Sequence, residues 1–150
     1  MGLDMYLTAK IYLSKNNLLE TIKADKIRKI FPEIFKSGNL DYIEVVFEVG
    51  YWRKANAIHG WFVENAQDGT DNCGTYYVSR KQLIELKELC ESVLKNKSQA
   101  QKLLPPQKGF FFGGEDLDDW YFETLQDTVQ IIDKCLKLPD EWNFEYHSSW

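Results

Sequence analysis

Apolar and polar residues alternate from Leu3 to Leu13, with Leu3, Met5, Leu7, Ala9, Ile11 and Leu13 set against Asp4, Tyr6, Thr8, Lys10 and Tyr12. A period of two marks a strand with one buried face, so the odd positions are expected in the core. Asn16 to Phe35 suits one or two short helices interrupted at Pro32, and Ser37-Gly38-Asn39 reads as a turn. Tyr42–Val49 is rich in β-branched and aromatic residues and reads as a second strand. Gly50 is expected to break it. From Tyr51 the period lengthens to 3.6 residues, placing Tyr51, Ala55, Ile58, Phe62 and Ala66 on one stripe, with Trp52, His59 and Val63 beside it. The pattern predicts a helix of about four turns over 51–66, with Arg53, Ala57, Gly60 and Glu64 on its opposite side.

Further along, Ala66–Gly74 has loop composition and Thr75–Val78 is a short strand. Ser79 and Gln82 match a capping box that opens a helix at Arg80, with Leu83, Leu86, Leu89 or Cys90, and Val93 as its buried stripe. One or two more helical turns fit Asn96–Leu104 before Pro105-Pro106. Lys108–Gly114 reads as a buried strand of phenylalanines. A second strong helix is expected from Glu115, capped by Asp116, with a stripe that includes Leu117, Trp120, Tyr121, Leu125, Thr128, Ile132 and Cys135 and that should pack on a sheet. Trp142–Trp150 alternates as a last strand, on an edge or beside the first. The connections are too short for repeated crossovers. An α+β fold is therefore expected: a single two-layer domain over 1–150, with a mainly antiparallel sheet of about five strands and helices on one face.

Composition narrows the classes of function. Lysine plus arginine number 18 against 23 aspartate plus glutamate, a net charge of −5, which argues against general duplex-DNA binding. Cys73, Cys90 and Cys135 show no CxxC or Cys/His spacing, so neither disulfides nor a metal site is expected and the thiols suit a reducing cytoplasm. No secretory signal and no apolar run of membrane-spanning length are seen, so no membrane partner is expected. The glycines and the Lys-Ser/Thr pair of a P-loop are missing from the Gly50 turn, and no cofactor is expected. Glu115, Asp116, Asp118 and Asp119 lack the offsets of a calcium loop and read as helix-capping acids.

Candidate chemistry concentrates around residues 51–73. The start of a helix after Gly50, with Arg53 and Lys54 in its first turn, is a place to receive an anion. His59, on the apolar side, reads either as a general base or ligand donor, or as a buried histidine bonded to a backbone carbonyl. Cys73, in a polar loop, is a candidate nucleophile if His59 is beside it; an Asp-Asn-Cys-Gly turn is the plain alternative. With 5 Trp, 8 Tyr and 9 Phe the chain is rich in aromatics. Tyr51, Trp52, Trp61, Trp120 and Tyr121 lie near Arg53, Lys54, Asn56 and Asn72 in sequence or in mixed blocks, a set suited to stacking on a planar ligand while holding its phosphate. The same residue types suit a protein interface.

Several blocks together carry a resemblance: GLDMYL at 2–7, EVGYWRKANAIHGWFV at 48–63, DNCGTYYVS at 71–79, GFFFGG at 109–114 and DDWYF at 118–122. The chain resembles a family of small, mostly uncharacterised bacteriophage and prophage proteins, over nearly all its length to about Thr128. The resemblance implies expression in the host cytoplasm and brings no catalytic residues with it. The expected function is binding of a small anionic, nucleotide-like ligand, with sequestration of a host defence signal as one use. Binding to a host or phage protein is the alternative, and a His59/Cys73 or His59/Asp71 enzyme, a hydrolase or transferase, the third reading.

Overall fold

The computed structural model describes residues 2–14, 16–35, 42–109 and 114–150. Its strands are β1 (Asp4–Ser14), β2 (Tyr42–Arg53), β3 (Thr75–Val78) and β4 (Asn143–Ser149). Its helices are α1 (Leu18–Ile30), α2 (Asn56–Ala66), α3 (Arg80–Lys95), α4 (Ala100–Leu103) and α5 (Asp119–Leu136), with short 3-10 turns at Pro32–Phe35 and Lys97–Gln99. The class is α+β. Four strands form one sheet in the order β2-β1-β4-β3. The expected turn at Ser37–Asn39 and most of the expected strand at Lys108–Gly114 lie outside the described residues, so the sheet counts four strands there rather than about five.

Two compact units are distinguished: one formed by residues 1–9 and 48–150, the other by Lys10–Phe47. In the larger unit β3 pairs antiparallel with β4, Thr75 facing His147 and Val78 facing Phe144. The last strand is therefore interior, next to β1. Alternation in β1 is kept: Leu3, Met5, Leu7 and Ala9 are fully buried, while Asp4, Tyr6 and Thr8 are half-buried on the other face. Those odd positions join one core with Trp52 of β2, Phe144 and Tyr146 of β4, Ile58 and Phe62 of α2, and the inner faces of α3 and α5. In α3, Ser79 accepts from the Gln82 amide at 3.2 Å and the Gln82 side chain accepts from the Ser79 amide at 2.8 Å, completing the expected box. Leu83, Leu86, Cys90 and Val93 are its buried stripe. The smaller unit holds α1, whose Ala24 is buried, and Tyr12 stacked on Tyr42 at 4.9 Å.

Residues 50–58 differ from the sequence expectation. β2 does not stop at Gly50 but continues through Tyr51 and Trp52 to Arg53, and α2 begins only at Asn56 with 11 residues. Gly50 is there for space: a Cβ would lie 2.6 Å from Ile131 Cγ2 of α5 and 3.4 Å from Leu7 Cβ. A glycine that permits close approach inside a strand reads, in sequence, like one that ends it. Alternation then puts Tyr51 and Arg53 outside and Trp52 inside, where its indole N–H donates to Thr128 Oγ1 at 2.9 Å. Every residue of α2 from Asn56 to Phe62 is buried, including Ala57 and Gly60, which were expected on a polar side. The first two turns are enclosed, so there the wheel carries no inside and outside, and only Glu64 and Asn65 near the end of the helix are exposed.

The start of α5 also moves. Asp118, not Asp116, is the cap, accepting from the Tyr121 amide at 2.9 Å, and Leu117 and Trp120 are exposed rather than part of the buried stripe. The rest of that stripe packs on α3 as well as on the sheet.

Candidate functional site

Two helix starts meet at one cavity of about 170 Å³ in the larger unit. From the α2 side it is lined by Lys54, Ala55, Asn56, Ala57 and Ile58; from the α5 side by Asp116, Asp118, Trp120, Tyr121, Thr124 and Leu125, with Gly114 between. One water needs roughly 10–15 Å³ of such space, so the cavity, which is open to solvent on one side, holds on the order of ten waters.

The helix ends differ in one respect that decides their chemistry. The first turn of α5 is satisfied by the Asp118 carboxylate. The cap position of α2 is Ala55, which offers no side-chain acceptor, and no side chain caps that turn. The first N–H groups of a helix have no intrahelical acceptor, and the aligned peptide dipoles make that end partly positive. The first residues of that turn, Asn56, Ala57 and Ile58, whose amides no Ala55 side chain can meet, line the cavity. Lys54 stands beside them with a left-handed backbone, φ +54°, and its amide donates to the Leu3 carbonyl at 2.7 Å. Left-handed lysine is sterically disfavoured; here it makes the abrupt turn from β2 into α2 and leaves the ammonium exposed. Asn56 is buried and its side-chain NH₂ donates to the Gly114 carbonyl at 2.7 Å, fixing the two sides of the cavity.

The opposite wall is acidic and aromatic. Trp120 is 57 % exposed, whereas Tyr121 is buried and donates its hydroxyl to the Leu104 carbonyl at 2.7 Å. Burial is the main cause that pushes the Tyr121 phenol well above its ordinary value, so it remains a donor.

Of the residues singled out from sequence, Lys54, Asn56, Trp120 and Tyr121 come together here, and the rest do not. Tyr51 is exposed on the sheet and donates its hydroxyl to Asp4, which raises its pKa. Arg53 is exposed on β2, Trp52 is core, and Trp61 is buried edge-on against Phe62 at 5.3 Å. Asn72 shapes its own turn, accepting from the Gly74 amide and the Tyr76 hydroxyl, each at 2.9 Å. Asp116 and Asp118 were assigned to capping alone, and Ala55 was invisible as a site residue: the signal is a missing capping side chain.

His59 belongs to a second, interior cluster. It is 1 % exposed, with Nδ1 2.7 Å from the Tyr146 hydroxyl and Nε2 3.0 Å from Asp71 Oδ2. Its partners are thus side chains rather than the backbone carbonyl expected. The bonds are satisfied when the Tyr146 O–H donates to Nδ1 and Nε2–H donates to Asp71. Burial, and next the Asp71 charge, push the Tyr146 phenol far up, which keeps it a donor. Trp150 donates to the other Asp71 oxygen at 3.1 Å. With both ring nitrogens already partnered, His59 lacks the lone pair that a Cys73 thiol would need for activation. Cys73 sits half-buried in a left-handed turn, φ +55°.

Comparison of the chain with protein-family models, curated proteins and solved structures finds no match. Function is therefore argued from this geometry. Among the described residues, no group of three or more His, Cys, Asp or Glu side chains is placed to hold a metal ion, and no helix is long and apolar enough to cross a membrane.

The thiols give a direct check of the core. Burial raises Cys90 to about 12 and Cys135 to about 11, from an ordinary 9.0. At about pH 8 only Cys73 should react with a thiol reagent in the native protein, whereas all three should react in denaturant. A folded value above the unfolded one means this contribution to stability is complete below about pH 9. It is lost as pH rises toward the folded values, by about 1.4 kcal/mol per pH unit for each buried thiol. Urea unfolding midpoints should fall over that alkaline window, and fall less in a Cys90→Ala, Cys135→Ala variant; equal slopes would contradict the assignment.

Proposed function

We propose that this chain is a phage-type intracellular accessory protein that binds a small anionic, nucleotide-like molecule at the cavity between the starts of α2 and α5. The observation that carries the reading is the uncapped α2 terminus beside Lys54, facing exposed Trp120 and the carboxylates of Asp116 and Asp118. A phosphate or carboxylate suits the first side, because backbone N–H groups and an ammonium converge there. The indole offers a stacking face. The aspartates accept from amino-bearing ring edges and repel a second anion, which favours a base with an exocyclic amino group over a highly charged ligand. The cavity takes part of a mononucleotide, leaving the remainder over Trp120. The resemblance to phage proteins supports capture of a host signalling nucleotide as the biological use.

The test is ligand release and thermal shift. Protein purified from its host should yield a small molecule on denaturation, identified by mass spectrometry. A nucleotide at about 100 times its Kd should add about 2.7 kcal/mol, a rise of roughly 5–10 °C in Tm. Lys54→Asn, which keeps a residue tolerant of left-handed backbone, and Trp120→Ala should each abolish most of the shift. Arg53→Ala should retain it. If both cavity variants keep the wild-type shift, the ligand binds elsewhere; if no nucleotide shifts Tm, the reading fails.

A protein-interaction role is the second reading, favoured by a different observation. More than half of the exposed large apolar side chains among the described residues, including Ile22, Ile30, Phe31 and Phe47, fall within Lys10–Phe47, the smaller unit. That concentration is what a partner-covered surface looks like in an isolated chain.

A further inference from the structure

Two polar side chains of the cavity wall are more than nine-tenths buried and each keeps one atom without a protein partner. Asn56 is 5 % exposed, and its NH₂ is committed to the Gly114 carbonyl, which turns Oδ1 the other way. Thr124 is 9 % exposed; its backbone carbonyl accepts from the Thr128 hydroxyl, while its own hydroxyl makes no hydrogen bond among the described residues. Neither Asn56 Oδ1 nor Thr124 Oγ1 is shut in. The fully enclosed polar atoms without a partner, among the described residues, are Gln67 Oε1, Arg80 Nε and Ser148 Oγ. Both Asn56 and Thr124 line the cavity, so their free oxygens open onto it. Buried polar groups in native structures are nearly always paired, and a pair left over at a cavity points to a ligand that completes them. An amide oxygen needs an O–H or N–H donor, and a threonine hydroxyl takes either a donor or an acceptor.

We propose that the cavity selects ribonucleotides over deoxyribonucleotides, with Asn56 Oδ1 and Thr124 Oγ1 receiving the two ribose hydroxyls. The inference rests on the nucleotide reading of this cavity. In that reading Lys54 and the first turn of α2 take the anion, and exposed Trp120 with Asp116 and Asp118 takes the ring. The pentose is what joins the two. Asn56 follows Lys54 by two residues on the α2 wall, and Thr124 lies one helical turn inward of Trp120 on the α5 wall, about 6 Å along the axis. Neither side chain carries a charge, as suits neutral hydroxyls. One hydroxyl donates to the amide oxygen, and the other exchanges a hydrogen bond with threonine. A deoxynucleotide fills the same space with one hydroxyl fewer, so a protein oxygen loses water and gains no partner.

The experiment is isothermal titration calorimetry of the full chain with adenosine, guanosine and cytidine monophosphates, then with the 2′-deoxy and 3′-deoxy forms of whichever binds tightest. Loss of either hydroxyl should weaken binding about tenfold or more. Thr124→Val keeps the shape of the side chain and removes a hydroxyl that no described protein group uses, so thermal unfolding of the free variant should match wild type. It should weaken the ribonucleotide about tenfold and erase one of the two discriminations while sparing the other. Thr124→Ser should restore the lost one. Equal affinity for the three sugar forms overturns this inference and leaves the nucleotide site standing, as does a folded Thr124→Val that keeps both discriminations. Failure of all three ribonucleotides to bind overturns the inference and the nucleotide reading together.

Discussion

Replacing His59 by alanine is expected to cost about 3–5 kcal/mol of folding stability. The ring is 1 % exposed and sits where α2, β4 and the Asp71 loop meet. Two losses add. Removing the imidazole leaves a cavity beside the stacked pair Phe62 and Tyr146, whose ring centroids are 4.0 Å apart. It also removes the acceptor of the Tyr146 O–H, which is fully buried and cannot turn to water. Asp71 loses less, because its side chain is 26 % exposed and also accepts from Trp150. Urea denaturation measures the cost, and a double-mutant cycle locates it. Tyr146→Phe alone should cost about 1–2 kcal/mol, and nearly nothing once His59 is alanine, because the hydroxyl has then already lost its partner. A His59→Ala loss under about 1 kcal/mol would show that the cluster does not hold the fold.

Gly50→Val should cost about 3 kcal/mol, at the upper end of overpacking effects, even though valine is the better strand former. The reason is the 2.6 Å approach of a Cβ to Ile131 Cγ2, with Trp52 and Leu7 closing the remaining space. Gly50→Ala should cost less but have the same sign. Gly60 supplies a contrast: the three atoms nearest to a Cβ there all belong to the side chain of Gln107, at 2.1 Å from Cγ. Gln107 is half-buried and can swing away, and alanine is favoured over glycine in a helix by about 1 kcal/mol. Gly60→Ala should therefore cost less than Gly50→Val, the helix preference for alanine offsetting part of the cost of displacing Gln107 from Cγ outward. Equal effects at the two glycines, read by thermal unfolding, would refute the account of why β2 passes through Gly50.

Periodicity and local chemistry determined much of this protein. Alternation alone placed Leu3, Met5, Leu7 and Ala9 in the core, because a strand has only two faces and six apolar residues shared one. The Ser79–Gln82 box fixed the start of α3, because both of its hydrogen bonds are made within four residues. The α+β class followed from the mixture of the two periods. What local patterns left open was settled by contacts between distant segments. Gly50 could end a strand or admit Ile131, and only the position of α5 distinguishes them. Tyr51–Arg53 fits a helical wheel as well as a strand, and its place beside β1 in the sheet made it strand. A mutual arrangement also decided the two clusters: His59 meets Tyr146 across 87 residues of sequence, and Asn56 meets Gly114 across 58. The cavity lies where the Ala55 turn, which has no capping side chain, and the start of α5 with Trp120 and Asp118 come together. No periodic pattern records that meeting, since its two sides are joined only when the chain has folded.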